Sequence, residues 1–92
     1  MKDVTIQKRS REELETEGVF TWLIWEKEAS RFDWVYEQEE HCYILEGNVT
    51  VETADGTYTI GPGDYVIFAK GLKCIWDIKA DIRKHYRFVV AN

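Results

Sequence analysis

No run in this sequence approaches the roughly 20 consecutive apolar residues that cross a bilayer, which excludes a membrane-spanning helix. The opening MKDVTIQKRSREELE carries charges throughout and has no apolar core of the kind a secretory signal needs. Cysteine is scarce as well. Two residues are too few for a disulfide framework and read as thiols, so a cytoplasmic location is expected. Basic residues are thin and scattered: 12 Lys and Arg stand against 17 Asp and Glu, for a net charge of −5. Nucleic-acid affinity comes mainly from neutralising phosphates, so no nucleic-acid partner is expected. Linkers, repeats and low-complexity segments are missing too. Residues 1–92 read as a single domain with one modest core.

Aromatic residues, by contrast, are plentiful: four Trp, five Tyr and four Phe. Each buries a large area, so the rings either enlarge a small core or line a pocket. Helical signals are confined to SREELETEG, where Ser10 can cap, Glu13 can complete a capping box and Gly18 can end the turn. From Val19 onward, short β-rich runs alternate with turns: VFTWLIWE, FDWVY, HCYILEGNVTVET, TYTI, YVIFA, KCIWDI and HYRFVVAN. The Asp55-Gly56 pair is a hairpin signal, and Gly61-Pro62-Gly63-Asp64 and Lys70-Gly71 mark further turns. Seven or so strands with almost no helix indicate an all-β sandwich or barrel.

Two segments carry a more specific likeness. Glu40-x-x-Tyr43-Ile44-Leu45-Glu46-Gly47 resembles the first cupin motif, in which a glutamate ligand precedes a turn glycine. Gly63-Asp64 followed by Ala69-Lys70-Gly71 resembles the second. Within cupins the chain is most similar to the short single-domain group related to the cupin domains of ureidoglycine aminohydrolase and ethanolamine-utilisation proteins. That group's pattern is matched by Phe32, Trp34, Tyr36 and Glu40, and later by Gly63, Asp64, Gly71, Trp76, Arg83, Lys84 and Tyr86. The resemblance implies a jelly-roll β-barrel (a double-stranded β-helix) over about residues 18–90, commonly dimeric, with a pocket inside one end.

Metal-binding cupins resembling this chain use a His-x-His pair, the glutamate and a second-motif histidine, a donor set suited to Mn, Fe, Ni or Zn. Here those positions hold Trp34, Tyr36 and Cys74, and only Glu40 keeps its expected residue. The departure argues against a bound metal, and no cofactor is expected. A thiolate-rich set of Glu40, Cys42 and Cys74 is the minority alternative.

Strand parity assigns the adjacent His41 and Cys42. Side chains alternate faces, so Glu40, Cys42 and Ile44 share one face while His41 and Tyr43 share the other. If Glu40 points into the barrel, Cys42 does too, and His41 becomes a surface or dimer-face residue. Cys74 and Trp76 share the pocket face by the same rule. Two readings follow: Trp34, Tyr36, Cys74 and Trp76 plug the pocket as extra core, or they wall a cavity with Glu40 as its polar centre. Desolvation of a buried Glu40 would raise its pKa and suit it to proton transfer. Lys84 shares a face with Tyr86. It pairs with Glu40 or an anionic ligand if that face is inward, but the plainer reading, preferred here, is a solvated lysine. His85 takes the opposite parity and is expected outside.

The run Phe20 to Trp25 is too continuously apolar for a strand with one wet face, and suggests a strand buried against a partner in a homodimer. The functional expectation is a barrel that binds a small organic molecule through Trp34, Tyr36, Glu40, Cys42, Cys74 and Trp76 without a tightly held metal. One alternative is a metal-independent isomerase or lyase using Glu40 with Tyr36 or Lys84. Another, implied by the resemblance alone, is a metal-dependent enzyme similar to ureidoglycine aminohydrolase.

Overall fold

The computed structural model describes residues 3–89. Seven antiparallel strands follow one another as β1 (Val4–Gln7), β2 (Leu23–Lys27), β3 (Ser30–Val35), β4 (Glu39–Thr53), β5 (Gly56–Ile60), β6 (Tyr65–Phe68) and β7 (Lys73–Val89). One helix, α1 (Arg11–Glu17), and a 3-10 turn, Val19–Thr21, lie between β1 and β2. The capping box forms as expected. Ser10 Oγ accepts from Glu13 N at 3.1 Å and Glu13 Oε1 accepts from Ser10 N at 3.0 Å, while Gly18 closes the helix with φ +77°.

Two long strands make the barrel. The first half of β4 pairs with β6 through Glu40–Tyr43, and its second half pairs with β5 through Val49–Thr53. Strand β7 likewise pairs with β3 through Lys73–Ile78 and with β2 through Ile82–Tyr86. Between these halves the β4–β7 ladder slips register three times, from Ile44 to Val49, so both strands bend and fold the sheet over itself. Gly47 sits in the bend with φ +106°, where an added Cβ would lie 2.6 Å from Asp81 O and 2.8 Å from Ile82 Cα. No other residue fits there without moving backbone. The result is the jelly roll that the motifs imply.

Two readings of the chain need correction. KCIWDI and HYRFVVAN are not separate strands but parts of β7, joined through the exposed stretch from Lys79 to Asp81; Val90, Ala91 and Asn92 lie outside the described residues. VFTWLIWE is not one strand: Val19–Thr21 is a 3-10 turn, and only Leu23 onward joins the sheet. Along the run from Phe20 to Trp25, one side packs within the chain and the other is exposed. Val19 is buried and Phe20, Trp22 and Trp25 are half-buried, but Leu23 is 70% and Ile24 42% exposed.

The interior divides into two clusters. Inside the barrel, Cys42, Ile44, Val49, Val51, Val66, Phe68, Trp76 and Ile82 form the main core. Outside it, the N-terminal segment lays Leu14 and Val19 over Tyr65, with Phe20, Trp22 and Tyr43 packed around them. This lid explains where the outward-facing residues go.

Candidate functional site

Alternation on β4 places Glu40, Cys42 and Ile44 inward, as parity requires, and all three are buried. His41 faces the other way but is not a free surface residue. Its ring contacts the Tyr65 hydroxyl at 2.8 Å through Nδ1 and Glu39 at 2.6 Å through Nε2, and Tyr65 in turn packs against the N-terminal segment. His85 is outside the barrel yet 7% exposed, with Nδ1 3.0 Å from Trp22 O and its ring edge-on to Phe20. Both histidines lie outside the barrel as parity places them, but Tyr65 and Glu39 hold His41 and the protein's own N-terminal segment covers His85. The covering could not be read from the alternation.

The preferred reading of Lys84 is overturned. Its side chain is buried, not solvated: β7 directs Lys84 inward beside Tyr86, and Lys84 is 4% exposed. Nζ donates to both carboxylate oxygens of Glu40, at 3.1 Å each, and Glu40 is itself 4% exposed. The register Ile44↔Lys84 brings β7 beside β4, and Trp25↔Lys84 brings β2 to its other flank. The ammonium lies 4.7 Å from the Trp76 ring centroid and 5.1 Å from that of Trp25, within cation–π range of both. An isolated charge in such a place would be prohibitively costly, and each of these two is compensated by the other.

Around the pair opens a cavity of about 210 Å³. Seven of its nine lining residues are aromatic: Trp25 from β2, Phe32 and Trp34 from β3, Tyr36 just beyond it, and Trp76, Tyr86 and Phe88 from β7. Glu40 and Lys84 complete the wall. Trp34, at 47% exposed, stands at the rim, whereas Tyr36 and Trp76 are at the floor and 2% exposed. Trp76 Nε1 donates to the Tyr36 hydroxyl at 3.1 Å, and Tyr36 stacks on Phe68 with centroids 4.7 Å apart. Burial, and then the charge of Glu40, push the Tyr36 phenol well above its ordinary range. It keeps its proton near neutral pH and can donate a hydrogen bond.

The two cysteines fall behind this wall. Neither Cys42 nor Cys74 lines the cavity, and both are buried free thiols. Burial pushes Cys42 up to about 12, and burial with the nearby Glu40 pushes Cys74 up to about 11. Neither ionises at neutral pH. Four of the expected lining residues, Trp34, Tyr36, Glu40 and Trp76, do converge, and Trp25, Phe32, Tyr86 and Phe88 join them. Phe32 shares parity with Trp34 and Tyr36, and Phe88 with Tyr86 and Lys84, so alternation could have found them. Trp25 could be placed only by knowing that β2 pairs with β7.

This donor set does not fit a divalent transition metal. Glu40 supplies one carboxylate, and a cationic ammonium already occupies both of its oxygens. The other ligand positions hold an indole, a phenol and a protonated thiol. Among the described residues, no three His, Cys, Asp or Glu side chains are grouped to hold an ion.

Residues 14–86 match the model of the EutQ-like cupin domain. A DUF861 family protein from Thermotoga maritima is 50% identical, with a TM-score of 0.90 over 94% of this chain and 99% of that one. The EutQ protein of Clostridium difficile is 20% identical, with a TM-score of 0.67 over 75% of this chain and 55% of that one. A putative ethanolamine utilization protein from Salmonella typhimurium, also 20% identical, has a TM-score of 0.67 over 97% of this chain and 71% of its own. At that identity the last two likenesses concern the fold alone. None of the curated proteins matches the chain.

Proposed function

This chain belongs to the EutQ-like cupin family, and we propose that its barrel binds a small organic molecule without a tightly held metal. The observation that carries this reading is the cavity itself: aromatic walls around one buried ion pair, Glu40–Lys84, with the Tyr36 hydroxyl at the floor. Apolar pockets with a few convergent polar groups are the usual small-molecule sites. Its volume lies below the roughly 300 Å³ at which drug-sized ligand sites begin, so the ligand is a compact metabolite with about one ring. A metabolite screen by thermal shift tests the reading. A ligand at 100 times its Kd adds about 2.7 kcal/mol of stability. Loss of that gain in Glu40→Gln would tie it to this cavity, and an unchanged gain would remove Glu40 from the site. One Mn, Fe, Ni or Zn per chain in protein purified without chelator, removable only with loss of structure, would reverse the assignment.

A second reading has one specific support. Lys84 Nζ donates to Glu40 at 3.1 Å at the edge of the cavity, an arrangement of a donor beside a carboxylate that suits metal-independent acid–base chemistry of the isomerase or lyase type. Tyr36 then serves as hydrogen-bond donor and not as base, because its phenol is held protonated. Solvent-proton exchange into a bound metabolite, abolished in Glu40→Gln, separates catalysis from binding.

The same reading includes a homodimer. Leu23 and Ile24 on β2 present the exposed apolar surface that a second copy would cover, whereas Trp22 packs near Tyr65 and Trp25 lines the cavity. No helix among the described residues is long and apolar enough to cross a membrane. The free thiols accord with a reducing, cytoplasmic setting.

A further inference from the structure

Lysine is rarely buried unless it is paired, and a lysine in an apolar cavity is a recurring nucleophile toward carbonyl carbon. Lys84 stands apart from the other lysines among the described residues in this respect. Lys8, Lys27, Lys70, Lys73 and Lys79 are all exposed. Two of its ammonium protons are directed at Glu40, and the faces of Trp25 and Trp76 meet the remainder of the group. An amine, a proton acceptor within hydrogen-bonding distance and rings suited to a cation therefore meet at one wall of a cavity sized for a compact molecule.

We propose that Lys84 condenses with a small aldehyde or ketone in this cavity to form a protonated imine, with Glu40 as proton shuttle and then counterion. The proposal rests on the cavity being a ligand site. In the first step Nζ passes one proton to a Glu40 oxygen, and the freed lone pair attacks the carbonyl carbon, forming C–N as the C=O π bond opens. A second nitrogen proton moves to the oxygen, giving a neutral carbinolamine. Glu40 then returns its proton to that hydroxyl, the C–O bond breaks, water leaves and C=N forms. The sum is one ammonium and one carbonyl compound giving one iminium and one water. No electron is gained or lost, and the positive charge stays beside the Glu40 carboxylate. The iminium inherits the Trp25 and Trp76 faces, which attract a desolvated cation. Tyr36, held protonated, can donate to the carbonyl oxygen before attack.

The test uses the whole chain with benzaldehyde, and in parallel butanal, near neutral pH with cyanoborohydride to trap the imine, followed by peptide mapping. The expected result is alkylation of Lys84 ahead of the exposed lysines, which serve as the internal background. Benzyl alcohol, of similar shape but without a carbonyl, should slow the benzaldehyde labelling. Lys84→Arg keeps a cation against Glu40 but cannot condense, and should lose the site-specific label. Glu40→Gln should slow labelling at position 84 by about a hundredfold while the exposed lysines react as before, the lower end of what a positioned acid–base group contributes. The two proposals fail differently. If benzyl alcohol shifts the Trp76 indole resonance but both aldehydes label only exposed lysines, the cavity binds and imine formation is refuted. If neither the alcohol nor an aldehyde perturbs Trp76 or labels Lys84, the ligand-site reading falls and this inference falls with it.

Discussion

Replacing Lys84 by methionine leaves the Glu40 carboxylate without its cation, 4% exposed and behind aromatic walls. Breaking a buried ion pair from one side costs about 3–5 kcal/mol, because the surviving charge is uncompensated. A domain of this size has roughly 5–15 kcal/mol in all. Each kcal/mol moves Tm by roughly 4–8 °C in a domain of 60–100 residues, so the variant should melt at least about 12 °C lower. Glu40→Leu strands the ammonium instead and should cost a similar amount. Glu40→Gln costs less, since the amide oxygen still accepts from Nζ. The double variant Glu40→Leu/Lys84→Met removes both charges and should be neutral or up to about 4 kcal/mol more stable than the parent. Urea unfolding of all four proteins gives the coupling energy directly, provided the m-value is unchanged. A cost below about 1 kcal/mol for Lys84→Met, with additive effects in the double variant, would refute the ion pair as a buried interaction.

Other expectations follow from single features. Cys42 has an ordinary value of 9.0 and is raised by burial to about 12, so above pH 9 the unfolded chain releases a proton that the folded one holds. Its contribution is therefore complete below pH 9 and declines by about 1.4 kcal/mol per pH unit toward pH 12; Cys42→Ala should show a shallower alkaline loss in denaturant titrations. Gly47→Ala should destabilise by more than about 1 kcal/mol, because its Cβ would meet Asp81 O at 2.6 Å in a left-handed backbone; thermal unfolding reads this. Leu23→Asp, at a 70% exposed position, should leave Tm of the isolated chain almost unchanged while converting a dimer to monomer in sedimentation velocity; a parent that is already monomeric at tens of micromolar would remove the dimer from the reading.

The barrel was legible because its signals are local. The Asp55-Gly56 turn, the capping box at Ser10 and the alternation around Glu40 each depend on neighbours in the chain, and each appears in place. Contacts across the sheet were not legible. Parity put Lys84 and Tyr86 on one face, but whether that face met solvent depended on β2 and β4 flanking β7. His41 and His85 pointed outward as expected, yet α1 and the 3-10 turn cover that outer face, a packing with no local signature. Cys42 and Cys74 shared the inward parity of Glu40 and Trp76 but stop short of the cavity. Alternation selects a face and says nothing of depth.

The Glu40–Lys84 pair also explains how a glutamate at the position of a cupin metal ligand can stand in this barrel without the other ligands beside it. A carboxylate inside a barrel needs a positive partner, or it takes up a proton. In metal-binding cupins resembling this chain the cation supplies that charge. Here β7 delivers an ammonium to both Glu40 oxygens, and the indole of Trp34 and the phenol of Tyr36, at positions where those cupins carry histidines, help wall the cavity. The substitution is chemically coherent only as a set. With Lys84 and histidines together, ammonium and metal would compete for one carboxylate; with neither, Glu40 would be stranded. Placing histidine at Trp34, Tyr36 and Cys74 should therefore not create a metal site while Lys84 remains. Adding Lys84→Ala to those three changes should, and isothermal titration with Mn or Zn distinguishes the two proteins. Equal affinity in both would show that the ammonium does not compete with metal at Glu40.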